Sequence, residues 1–266
     1  MAVQNIRYNN YSLQDTSAAA SKRLTTNILY NQLPDKVIDI KQDTTRDGFD
    51  IIASHYSQKV ITANGWLISD TGANLKTLID TFKNSLRPNE KSLDIETYGG
   101  SGVYTRWVAT TRSITVNEEH WQITQKPWTC EWLCQPFGKA TSTTTVDLNS
   151  GNNITSTPYN ESPSITGTYK CKPTITITVV SETDLTAIKF ENTSNLDWIQ
   201  VARSFSAAEV LTINCENETI QVDGSNVDFT GVFPRLSPGT NVLSITSTDS
   251  GAFAISVSFT YYPTYL

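Results

Sequence analysis

The stretch from Val60 to Ile95 constrains the fold more than any other, because it reads as strand, helix, strand. Val60 and Ile61, then Trp66, Leu67 and Ile68, flank Asn64-Gly65. That dipeptide bends readily into φ > 0 conformations, so a tight turn is expected there. Asp70, Thr71 and Gly72 supply helix-start chemistry. Leu75, Leu78, Ile79, Phe82 and Leu86 follow at spacings of three and four, which places all five on one stripe. Arg87-Pro88 ends the helix, since the residue before proline is pushed out of the α region. Leu93 and Ile95, alternating with Asp94 and Glu96, open the next strand. A single amphipathic helix in a β-patterned chain must lie across a sheet.

The rest of the chain divides at about residue 139. Residues 1–139 read as an extended polar N-terminal arm, the helix cassette, and strands near Leu93–Thr97, Val103–Thr111, Ile114–Val116, Trp121–Thr124 and Trp128–Cys134. Gly99-Gly100-Ser101-Gly102 reads as a connecting loop. Ala140 to Ser164 is rich in Thr, Ser, Asn and Pro and reads as a linker with an edge strand or long loop. Beyond it Ile175, Ile177 and Val179 alternate with Thr174, Thr176 and Thr178. Leu211, Ile213 and Cys215 repeat the pattern, as do Phe253, Ile255, Val257, Phe259 and Tyr261. Asp223-Gly224 marks a hairpin turn. Short alternating strands without a helix predict a sandwich or jelly roll in residues 140–266.

With 266 residues, 38% of them apolar and 17% charged, the composition suits two β-rich cores with hydroxyl-rich outer faces. The N-terminal stretch is polar at Gln4, Asn5, Arg7, Asn9 and Asn10, which predicts no signal peptide and synthesis in a cytosol. No apolar run approaches the roughly 20 residues of a membrane span. Residues 1–139 carry about 15 basic and 14 acidic side chains, whereas 140–266 carry about 5 and 12. Neither half has the basic face that phosphate contact requires, so direct nucleic-acid binding is not expected. Beside DNA, such a surface would not stick.

Signals for chemistry are weak. Cys130 and Cys134 alternate with Trp128 and Trp132, which puts both thiols on one strand face about 13 Å apart, beyond disulfide reach. Cys171 and Cys215 could meet in the second domain, but cytosolic synthesis argues against a bridge. His55 and His120 have no metal-ligand spacing to these thiols, so neither metal nor cofactor is expected. Gly100-Ser101-Gly102 fails the nucleophile-elbow spacing at Val103. Glu118-Glu119 reads as a solvated turn rather than a catalytic carboxylate pair. Asp223, Asn226 and Asp228 loosely resemble a calcium loop, although the hairpin accounts better for Asp223-Gly224. The triplets headed by Asn153, Asn192 and Asn217 match the glycosylation pattern only by chance in a chain without a secretion signal. Trp66, Trp107, Trp121, Trp128, Trp132 and Trp198 fill a core or interface in one reading and stack on sugars in another. Trp198 with Asp197 and Arg203 is the sugar-site candidate of that second reading.

Two segments carry a family resemblance. Gly65–Ser69 (GWLIS), the helix LKTLIDTFKNSL at Leu75–Leu86 and the strand KSLDI at Lys91–Ile95 resemble the first domain of the siphophage distal tail protein family. Leu211–Ile245, with Phe-Pro-x-Leu-x-Pro-Gly-x-Asn at Phe233–Asn241, is similar to the end of the same family, as is the closing YYPTYL at Tyr261–Leu266. The resemblance implies a non-enzymatic virion protein made in the bacterial host cytoplasm and placed at the tail tip. In it, residues 1–139 form a ring-building, tail-tube-like β-sandwich or barrel plus helix. Residues 140–266 form a galectin-like or carbohydrate-module-like sandwich, whose final strand would pack back on the first domain. The implied partners are five further copies in a homohexameric ring, the tail tube protein, a tail-tip hub or tail-associated lysozyme-like protein, and receptor-binding proteins. The N-terminal arm and the loop around Arg46–Asp50 are the candidate ring contacts. A carbohydrate-binding adhesion module and a major tail tube subunit are the alternatives.

Overall fold

A computed structural model describes residues 5–17, 20–30, 32–42, 49–96, 102–117, 122–248 and 252–266, with backbone alone at 41, 42, 49 and 50. The chain divides into two compact units, residues 1–141 with Leu266, and residues 142–265. Each has its own hydrophobic core.

The first unit is built on one antiparallel sheet. Its strands are β1 (Ile6–Tyr8), β2 (Tyr11–Ser12), β3 (Ser21–Leu29), β6 (Lys59–Ser69), β7 (Lys91–Glu96), β8 (Tyr104–Val116) and β9 (Gln125–Cys134). They run in the order β2-β1-β7-β8-β9-β6-β3, and β10 (Gly138–Ala140) adds to β8. A separate hairpin joins β4 (Lys36–Gln42) to β5 (Phe49–Tyr56). Among the described residues no sheet closes on itself, so of the sandwich and barrel alternatives the barrel is not formed.

Helix α1 (Gly72–Leu86) lies on one face of that sheet, against β3, β6 and β8. Its buried residues are Leu75, Leu78, Ile79, Phe82 and Leu86, the five that the spacing selects. Thr71 caps the start, its hydroxyl accepting the Asn74 N–H at 3.2 Å. Phe82 packs 5.1 Å from the Trp128 ring, centroid to centroid. Alternation in β9 then explains why Trp128, Cys130, Trp132 and Cys134 are all buried on the helix face.

Asn64-Gly65 is not a turn. It sits inside the continuous strand Lys59–Ser69, where a Cβ on Gly65 would lie 1.8 Å from the Leu24 carbonyl oxygen and 2.9 Å from the Trp128 ring. The glycine is selected by close backbone approach, beside the bulge between Thr25 and Asn27. The two strands expected at Val103–Thr111 and Ile114–Val116 are one, β8, with a bulge between Thr111 and Ser113 restoring the alternation. Gln122–Thr124 form no strand, and Ile123 is exposed, so its apolar character marks no core face.

The second unit is a sandwich. One sheet runs β11-β23-β14-β17-β18-β19, from β11 (Thr144–Asp147), β14 (Thr174–Ser181), β17 (Val210–Asn214), β18 (Thr219–Val222), β19 (Ser225–Asn226) and β23 (Ala254–Tyr261). The other runs β12-β22-β15-β16-β20, from β12 (Tyr159–Glu161), β15 (Ala187–Asn192), β16 (Asp197–Ala202), β20 (Thr230–Gly231) and β22 (Leu243–Thr248). β13 (Ser164–Ile165) pairs β21 (Gly239–Thr240) apart from both. Inward residues of the two sheets, such as Ile175, Ile177 and Phe259 on one and Phe190, Ile199 and Ile245 on the other, share one core. The stretch expected as a linker supplies β11, β12 and β13, so most of 140–164 belongs to this unit. Asp223 and Gly224 take φ of 48° and 78° between β18 and β19, the positive pair that a two-residue hairpin requires.

Candidate assembly interface

The described part of the N-terminal arm is no free arm. β1 pairs with β7, and Ile6, Tyr8 and Leu13 are fully buried in the core. Removing residues 2–24 would therefore strip the sheet of an edge and part of β3 rather than probe a contact surface. The loop candidate around Arg46–Asp50 lies outside the described residues except for the backbone of Phe49 and Asp50. The strands on either side of it are informative.

In the β4–β5 hairpin, Ile40 pairs with Ile51 and Ile38 with Ser54, which places three isoleucines on one face. They are 57%, 61% and 47% exposed, and Ile52 at the neighbouring bulge and Leu33 nearby are also exposed. A two-stranded ribbon is marginal by itself in water. At its base Ser57 N–H donates to the Asp35 carbonyl and Tyr56 meets Phe137 edge-on at 5.8 Å. An exposed apolar face on such a ribbon has the chemistry of a contact surface. Periodicity alone does not find it, because the same alternation describes a core strand.

The sheet face away from α1 is different in kind. Thr26 donates to Asn64 at 2.9 Å, and Ser113 donates to Glu131 at 3.4 Å. Asn64 faces Thr129 and Thr62 faces Glu131 across β6 and β9. Hydroxyls and amides thus line four strands, β3, β6, β9 and β8, with one carboxylate among these residues. The same face also carries Lys22, which pairs with Ile68, and Arg106, which is bonded to Asp94, so it is polar with scattered charge of both signs.

The sugar-site candidates do not converge. Trp107, Trp128 and Trp132 are core residues, and Trp121 lies outside the described residues. Trp198 and Asp197 are consecutive in a strand and point to opposite faces. Arg203 is held by Glu209 at 2.8 Å and lies over Phe205. The Lys189 ammonium sits 5.0 Å from the Trp198 ring centroid.

The remaining chemical candidates are accounted for locally. All four cysteines are free and buried. Burial pushes the thiols of Cys134, Cys171 and Cys215 up to about 12 and raises that of Cys130 as well, so they are inert as nucleophiles. Cys171 and Cys215 are close enough to interact electrostatically without being bonded. Asp223 accepts the Val210 N–H and Asn226 accepts from Gln221, so these calcium-loop candidates are occupied within their own hairpin. Among the described residues no three His, Cys, Asp or Glu side chains converge. His55 stands exposed on β5, while Glu118, Glu119, His120 and Gly99–Ser101 lie outside the described residues.

Comparison with known proteins agrees with this architecture. Residues 166–265 match the sequence profile of the siphovirus-type tail component, C-terminal domain. The crystal structure of the SPP1 Dit protein (gp 19.1), described as a paradigm of the hub adsorption apparatus in phages infecting Gram-positive hosts, has the same fold, with a TM-score of 0.68. The identity is 14%, over 99% of this chain and 100% of that one. The phage p2 baseplate in its activated conformation also aligns. With calcium the identity is 9%, over 96% of this chain and 98% of the other, at a TM-score of 0.38. With strontium the values are 11%, 97%, 98% and 0.41. At those scores the baseplate chains carry no structural argument. No curated protein sequence matches the chain.

Proposed function

We propose that this protein is a structural component of a long non-contractile phage tail tip, where six copies form a distal ring between the tail tube and the tail-tip hub and adhesion proteins. The observation that carries the ring is the β4–β5 hairpin, whose isoleucine face is exposed among the described residues. Closed rings need heterologous contacts, in which one patch meets a different patch on the neighbour. A ribbon projecting its apolar face supplies one such patch. The first unit would be the tail-tube-like part, with α1 bracing the sheet outside and the hydroxyl-lined face toward the channel.

The second unit would stand outside the ring as a galectin-like decoration and meet hub, adhesion or lysozyme-like proteins. Similarity of its sequence to a siphovirus tail component domain, and of the whole fold to a hub adsorption protein, supports this reading. The function is geometric rather than catalytic. Placement in the virion after synthesis in the host cytoplasm belongs to the same proposal.

Native mass spectrometry of the full chain, with negative-stain imaging, tests it. Six copies of 29.5 kDa, about 177 kDa, with a central hole are expected. Long tubes would point instead to a tail tube subunit. A monomer that stays monomeric with purified tail tube and hub proteins would remove the ring.

A further inference from the structure

The second unit carries a pocket that neither the ring nor the sandwich core requires. It has a volume of about 270 Å³, and Lys172, Glu218, Phe229, Val232, Phe233 and Arg235 line it. Its two cations are placed by the backbone. Cys171 and Leu236 form an antiparallel bridge, with N–H to carbonyl distances of 2.9 and 3.0 Å in the two directions, and both side chains are buried. Lys172 and Arg235 flank that bridge, one on each segment, and both line the pocket.

Two like charges lining one pocket repel each other, so a counter-charge there would be favourable. Glu218 supplies little of one, at 3.6 Å from the Lys172 ammonium and 62% exposed. Asp197 points its carboxylate at the Arg235 backbone N–H, at 3.4 Å. Among the described residues the Arg235 guanidinium has no ion pair, although the unit around it is strongly acidic. Arg235 is nevertheless fixed in position, because its carbonyl accepts from Asn192 at 2.8 Å and Asn195 at 2.9 Å.

The rest of the pocket is apolar. Phe229 and Phe233 meet edge to face at 5.1 Å with a 67° angle between rings, and Phe229 and Val232 are 40% and 62% exposed. Rings so inclined offer no flat platform for a sugar, and an aliphatic wall offers it no hydrogen bond. The volume lies below the roughly 300–1,000 Å³ of drug-sized pockets. It suits one large apolar anchor side chain of the sort that dominates protein interfaces.

We propose that this pocket is a docking site for an acidic, apolar segment of another protein, with one leucine- or phenylalanine-type side chain packed against the two rings and an adjacent carboxylate on Arg235 and Lys172. Charge complementarity selects the partner, since the cations at this mouth contrast with an acidic domain. The site stands whether or not the first unit closes a ring, and its test reads out separately.

Fluorescence anisotropy on the full chain provides that test. The probe is a labelled peptide carrying leucine and phenylalanine flanked by aspartates. One control replaces each aspartate by lysine, and another replaces the two apolar residues by serine. Saturable binding at least tenfold tighter than to either control is expected. Arg235→Glu and Phe229→Ser should each weaken it at least tenfold, while Ile123→Ser in the other unit leaves it unchanged. All three positions are exposed, and circular dichroism checks their folding. Equal binding of the lysine peptide, indifference to Arg235→Glu, or no saturation up to about 1 mM would overturn the proposal. So would binding of a neutral oligosaccharide such as maltohexaose in the peptide's place.

Discussion

The Asn192 side-chain amide donates to the Asn241 side-chain oxygen at 3.1 Å, and both residues are wholly shielded from solvent. Asn241 also accepts the Ser237 N–H at 2.9 Å and donates to the Ser237 and Gly239 carbonyls at 2.7 and 3.1 Å. Its one side chain therefore satisfies the backbone of the turn Ser237–Thr240 and ties that turn to the end of β15. This gives a physical meaning to the asparagine that closes the Phe233–Asn241 motif.

Asn241→Ala would remove the partner of the Ser237 N–H, of two carbonyls and of one of the two Asn192 amide hydrogens, while the Asn192 amide keeps its bond to the Arg235 carbonyl. Each buried unsatisfied group costs about 1–3 kcal/mol, with water recovering part of the loss near the surface. A loss of about 2–4 kcal/mol from the second unit is expected, read as a lower urea midpoint at unchanged slope. A change under about 0.5 kcal/mol would mean that water replaces the side chain fully.

Two glycines of the first unit separate steric need from accident. Gly65→Ala drives a Cβ into the Leu24 carbonyl and should cost more than about 3 kcal/mol or abolish soluble expression. Gly72→Ala, whose Cβ would meet its nearest neighbour at 3.6 Å in the first turn of α1, should be neutral or stabilising by up to about 1 kcal/mol. Thermal melts of the two variants side by side decide the matter. A well-folded Gly65→Ala would contradict the close approach of β3 and β6.

Ile40→Ser combined with Ile51→Ser alters only exposed side chains of the hairpin. The folded subunit should keep its stability to within about 1 kcal/mol. Assembly should fail, so that sedimentation velocity shows monomers where the parent chain forms rings. Rings of unchanged size and affinity would place the subunit contact elsewhere.

Lys59 is 3% exposed, and its ammonium sits 5.4 Å from the Trp107 ring centroid with no carboxylate partner among the described residues. Burial lowers its pKa, partly opposed by Cys134. With the folded value below the unfolded one, the unfolded chain binds more protons between the two, so stability from this group rises with pH across that window. Below the window the full penalty of a buried charge applies. Lys59→Met should therefore be more stable than the parent at pH 7, with the gap narrowing as pH rises toward the unfolded lysine value of about 10.4. Denaturation at a series of pH values checks the sign, and a gap that widens with pH would be the wrong one.

Much of the local structure follows from the sequence alone. The stripe Leu75-Leu78-Ile79-Phe82-Leu86 forms the buried helix face because a 3.6-residue period admits only one way to bury those five side chains. Alternation likewise foretells the inward faces of β9, β14, β17 and β23, and Asp223-Gly224 foretells its hairpin, because both depend on neighbours a few residues away. The tertiary structure decides what depends on distant strands. Gly65 reads as a turn until Leu24 and Trp128 are seen against it, and the polar N-terminal segment reads as a free arm until Ile6 and Tyr8 are found paired with β7. The isoleucines of β4 and β5 have the same alternation as core residues, and only their exposure among the described residues marks an outward face. Lys172 and Arg235 lie 63 residues apart and become a pair only through the Cys171–Leu236 bridge. Local patterns determine which side of an element is apolar, whereas the pairing of distant segments determines whether that side is covered.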